Sequence, residues 1–152
     1  MGEYTAKVAA HVAGMLEPGE VVLAAVAAAP RGAMRALAYG NARRNLAAGR
    51  AEVAAFGVRP AAQYVLALTD RRFVWFRTTF TGRPRALVGT VHRGEVDRLE
   101  LGVGRVLGQR YTELRVSCRD GRRCLFEVAR LHGADADAIV ATFHGLPDAA
   151  AG

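Results

Sequence analysis

The side chains best able to do chemistry are few and scattered. Four histidines, His11, His92, His132 and His144, have no HxxxH or His–carboxylate spacing that would gather metal ligands or an acid–base pair. They read as surface or helix-end residues, and His144 falls near a helix C-terminus, where a positive imidazole suits the helix dipole. Cys118 and Cys124 flank an Arg-Asp-Gly turn. A three-residue loop there pairs Val116 with Cys124 and leaves the two cysteines diagonal, about 7–8 Å apart, which is beyond the usual disulfide range. We read them as buried, reduced thiols. Gly102 to Gly108, "GVGRVLG", lacks the glycine spacing of a phosphate loop and falls between two strand-like runs, so it reads as a flexible strand connection. No nucleophile elbow or carboxylate pair is evident. The expectation is a non-enzyme with no metal and no cofactor.

What remains is charge. The basic residues are 20 Arg against the single Lys7, and the chain of 152 residues carries a net +7. So much Arg beside so much Ala and Gly resembles GC-rich coding bias, so the location of the charge is more informative than its chemistry. About half the residues are apolar, which suits one globular domain with its own core. The longest uncharged apolar run, Val21 to Pro30, is ten residues, too short to span a bilayer. The first twenty residues lack a signal-peptide h-region. A cytoplasmic protein is the expectation.

The elements that must position those charges follow from periodicity. Val8, Val12, Met15 and Leu16 recur at helical spacing until Pro18-Gly19, which gives an N-terminal helical segment over residues 1–19. "EVVLAAVAAAP" reads as a buried strand ended by Pro30. Residues 31–60 show no clean period and read as a long insertion with broken helix. From residue 63 the pattern turns to β. Gln63–Leu68 and Phe73–Phe80 flank the charged Asp70-Arg71-Arg72, a tight hairpin turn that Thr69 or Asp70 caps through its side-chain oxygen. Residues 86–92, 96–103, 110–118 and 122–128 supply four more strands, seven in all. Between the last two, Arg119-Asp120-Gly121 keeps the apolar sets on one face and requires Gly121 in the left-handed region. Ala136, Ile139, Val140 and Phe143 then make the apolar stripe of a closing helix.

Seven strands and one C-terminal helix resemble the pleckstrin-homology (PH) superfold. More narrowly, "YVLALTDRRFVWFR", "VHRGEVDRLEL" and "LRVSCRDGRRCLFEV" resemble the bacterial PH-like domains, with Leu68-Thr69-Asp70-Arg71-Arg72 as their Leu-Thr-x-x-Arg hairpin. The resemblance covers about residues 20–146, leaving a tail at 147–152. It implies a mostly β (α+β) fold: a seven-stranded, partly open barrel of two orthogonal antiparallel sheets, capped by the C-terminal helix. Two departures stand out. The closing helix lacks the tryptophan typical of eukaryotic PH domains, Trp75 being the only one. The 31–60 insertion is also far longer than an ordinary first hairpin loop.

In such a barrel the 1–2, 3–4 and 6–7 loops gather at the open end. Here they hold Arg31, Arg35, Arg43, Arg44, Arg50 and Arg59; then Arg83 and Arg85; then Arg119, Arg122 and Arg123. With Glu52 and Asp120 counted, these segments carry +9 of the net +7, which leaves −2 for the rest. The expectation is a binding module whose basic end meets an anionic membrane surface or an acidic protein. Met34, Leu37, Leu46 and Phe56 could then dip among headgroups. The alternative is a self-assembling interaction scaffold. Nucleic acid is third, because aromatics are few in the basic loops. Phe73 and Trp75 alternate with Val74 and Phe76, so both faces of that strand are apolar. The N-terminal helix covers Phe73 and Trp75, or another subunit does and they form an interaction surface.

Overall fold

The computed structural model describes residues 2–148, so most of the expected 147–152 tail lies outside the described residues. Helix α1 (Glu3–Val12) leads through a 3-10 turn to strand β1 (Val22–Pro30). Two helices follow, α2 (Ala33–Tyr39) and α3 (Ala42–Phe56). Strands β2 (Tyr64–Thr69), β3 (Arg72–Thr78), β4 (Pro84–His92), β5 (Val96–Val106), β6 (Gln109–Cys118) and β7 (Arg123–Val128) precede the closing helix α4 (Gly133–Gly145). The strands order as β4-β3-β2-β1-β7-β6-β5, every neighbour antiparallel. β1 pairs with β2 over most of its length and with β7 only at Ala29 and Pro30, so its last residues carry the chain from one half of the sheet to the other. The outer edges of β4 and β5 do not pair with each other, so the sheet stays unclosed. This strand order with a closing helix is the PH-like architecture.

Alternation sets the core. Tyr64, Leu66 and Leu68 of β2, Phe73 and Trp75 of β3, and Leu114, Val116, Cys124 and Phe126 across the hairpin all point into one cluster with Ala136 and Ile139 of α4. The 119–121 loop has the expected form: Val116 opposes Cys124, the Cys118 N–H donates to the Arg122 carbonyl (2.8 Å), and Gly121 has φ 93°. Both cysteines are buried and free.

Phe73 and Trp75 are not a surface. Both are fully buried in the main core, while Val74 and Phe76 face the other side. That second side is what α1 covers, through Val8 and Val12 against Val22, Ala25, Val65, Ala67, Val74 and Phe76. The sheet is buried on both faces here, so alternation in β3 could not reveal which apolar set lay inward.

The 31–60 insertion is ordered helix. Gly40 and Asn41, both at positive φ, break it into α2 and α3, and Asn41 caps α3 through the Arg44 N–H. Leu46, Gly49, Val53 and Phe56 recur on the buried face of α3. Phe56 meets Trp75 edge-on at 5.7 Å, and Phe143 of α4 meets Phe73 at 5.3 Å. The two helices therefore hold the two ends of one aromatic row, and the end expected to be open is filled by α3. The "GVGRVLG" segment is not a loose connection either: β5 runs on to Val106, and only Leu107-Gly108 turn.

Candidate anion-binding surface

The insertion is seated along β7, where β1 leaves the sheet and exposes backbone donors. The Leu125 N–H donates to Glu52 of α3. The Glu127 carboxylate, itself buried, accepts from the N–H groups of Gly32 (2.9 Å) and Met34 (2.8 Å) at the start of α2. At the far end, the Arg122 guanidinium donates to the Phe56 carbonyl (3.0 Å) and lies over the Phe56 ring. Arg59 N–H donates to the Val88 carbonyl, so the chain leaving α3 is tied to β4. Glu52, Arg122 and Glu127 thus anchor the insertion. Their role was hidden in the sequence because each partner is far away along the chain.

This seating fixes where each arginine lies. Arg31 pairs with Glu52 (3.4 Å). Arg119 pairs with Asp97 (3.6 Å), and Arg122 pairs with Asp120 (2.7 Å) and Glu95 (3.7 Å). The Arg122 N–H and guanidinium hold the Asp120 carboxyl below its usual pKa. The 6–7 loop is thus largely neutralised by Glu95 and Asp97, acids from the β4–β5 connection and the start of β5. Counting charge loop by loop misses that compensation. Arg35, Arg43, Arg44, Arg50, Arg59, Arg83, Arg85 and Arg123 are exposed, and among the described residues none makes an ion pair.

The buried stripe of α3 leaves Arg43, Arg44 and Arg50 on its outer face among alanines. Two arginines in the first turn oppose the helix dipole, a local cost that an anion would relieve. The expected apolar helpers fare differently. Leu46 and Phe56 are packed inside and cannot reach a surface, whereas Leu37 is 83% exposed. Phe80, at the tip of the β3–β4 turn just before Arg83 and Arg85, is fully exposed. Among the described residues no group of three or more potential metal ligands occurs, and no helix is long and apolar enough to cross a membrane.

No known protein-family model matches the chain, and no curated protein matches it significantly. Among solved structures, a pleckstrin homology domain from Shewanella amazonensis SB2B is similar over 91% of this chain and 96% of that one, with 9% identity and a TM-score of 0.49. The fold assignment rests on the strand order and pairing themselves.

Proposed function

We propose that this is a non-catalytic, PH-like binding module that associates with anionic membrane surfaces through the outer faces of its inserted helices and the β3–β4 turn. One observation supports this above others. The only acid in residues 31–60, Glu52, is turned inward onto Leu125 and Arg31, so the exposed side of the insertion is cationic without opposition. Each arginine near an anionic surface adds about 1 kcal/mol, within a Debye length of about 8 Å at physiological salt. Several together give weak, reversible, salt-sensitive attachment with no deep pocket. Charge reversal at Arg43, Arg44, Arg83 and Arg85 to Glu tests it. All four are exposed and make no ion pair among the described residues, so the thermal midpoint should hold while sedimentation with phosphatidylglycerol vesicles is lost. Undiminished sedimentation of the variant would refute the reading.

A second reading, self-association, draws on a different feature. β5 is an eleven-residue strand whose outer edge pairs with no other strand among the described residues, and its Leu101 and Val103 are exposed. Such an edge can pair with a second copy. A concentration-independent monomer mass would set it aside.

A further inference from the structure

We propose that the rim formed by α2, the β5–β6 turn and the β3–β4 turn inserts apolar tips into the headgroup region of an anionic bilayer, with a ring of arginines set behind them on the lipid phosphates. This rests on the membrane reading above, but it uses residues that reading does not need.

The rim is continuous. Met34, Leu37, Leu107 and Arg110 line a groove of about 260 Å³ between α2 and the β5–β6 turn. Met34 and Ala129 also line the adjoining groove, which Thr81 and Gly82 of the β3–β4 turn bound. Around this line stand Leu37, Phe80 and Leu107, exposed by 83%, 103% and 64%. Leu37 and Leu107 share the lining of that open groove, and Phe80 stands on the β3–β4 turn, so the exposed side chains make a broad rim rather than one closed pocket. That shape suits shallow entry into a soft interface better than closure over a rigid partner.

Leu107 itself breaks a local rule. It sits in a two-residue hairpin turn at φ 51°, followed by Gly108 at φ 73°, where Asn-Gly is the favoured pair. An exposed leucine in the left-handed region serves neither the turn nor the core. Directly behind it Arg105 and Arg110 oppose each other across the hairpin. Like charges so placed repel unless an anion lies between them. The offset fits a bilayer. Arg105 is two residues behind Leu107, about 7 Å along a strand, and amphipathic elements bury their apolar side about 5–10 Å into the interface. With Leu107 at that depth, Arg105 and Arg110 reach the phosphates. Arg110 and Arg130 line the groove and no carboxylate does; Glu127, which lines the adjoining groove, is taken up by the Gly32 and Met34 N–H groups. That charge balance selects an anionic occupant.

The test is partition onto phosphatidylglycerol vesicles by wild type, by Leu107→Asn and by Leu37→Gln/Leu107→Asn. Asparagine suits the left-handed position better than leucine, so the first variant should fold at least as well as wild type. Burying a leucine is a large apolar term, and tenfold in affinity is a modest share of it. We expect Leu107→Asn to weaken binding several-fold and the double variant at least tenfold, with salt sensitivity kept. If wild type binds and both variants bind equally, insertion at this rim is overturned while electrostatic attachment stands. If wild type does not bind at all, the membrane reading itself fails. If poly-glutamate competes for wild type as effectively as vesicles do, the rim is a site for acidic polymers and lipid insertion is overturned.

Discussion

Arg72 closes a two-pronged hydrogen bond on Glu20, Nε to Oε2 and a terminal nitrogen to Oε1, both at 2.9 Å, across 52 residues of chain. The Glu20 side chain is fully buried, and Thr69 adds a third contact, its hydroxyl donating to Oε2 at 2.7 Å. The same Thr69 oxygen accepts from the Arg71 and Arg72 N–H groups. The Leu-Thr-x-x-Arg hairpin is therefore a lock on the start of β1: Thr69 closes the turn, and Arg72 holds the acid that precedes the strand.

A pH dependence follows with a definite sign. The Arg72 hydrogen bonds, more than any other cause, lower the Glu20 pKa from the ordinary 4.5 to about 2. A depressed carboxylate pKa adds stability that is present above about 4.5 and is lost as pH falls through about 2. Replacing Glu20 with Ala strands the guanidinium and should cost about 2–3 kcal/mol at neutral pH. It should also flatten the acid limb of a urea-midpoint profile between those two values. An unchanged limb would mean that another group drives acid unfolding.

Gly49 tests the docking of α3. A Cβ built there would lie 2.1 Å from the Arg31 carbonyl oxygen, so the helix can approach the end of β1 only without a side chain. In a freely exposed helix, glycine to alanine stabilises by about 1 kcal/mol. Here Gly49→Ala should instead destabilise by about 2 kcal/mol or more, because backbone must move. Its sign, read from a denaturation midpoint, separates a docked helix from a loose one.

Removing residues 2–17 strips Val8 and Val12 from Val65, Val74 and Phe76. The exposed face should drive aggregation or dimerisation. Trp75 points into the other core, so the tryptophan emission of any soluble fraction should stay that of a buried indole. A marked red shift would show that the two cores are not independent.

Much of the β-sheet was legible because hairpins are local. Thr69 to Arg72, and Cys118 to Arg122, fix their own turns, and alternation then fixes register. Three things were not local. The face of β3 that lay inward depended on α1, which comes from the start of the chain. The order of residues 31–60 depended on Glu127 and Arg122, more than sixty residues away along the sequence, receiving α2 and α3. The charge of the 6–7 loop depended on Glu95 and Asp97. Period and composition describe a segment by itself, so contacts of this kind escaped them. Leu107 does carry a local signal, since a leucine before a glycine between two strands is an odd turn pair.

The central claim is that the basic face attaches the protein to anionic lipid, and vesicle co-sedimentation across a salt series reads it most directly. The account predicts binding to phosphatidylglycerol vesicles at low salt, little binding to phosphatidylcholine, and steep loss as salt rises past the point where screening shortens to a few ångströms. Absence of binding to anionic vesicles at low salt, with the protein folded and soluble, would contradict it.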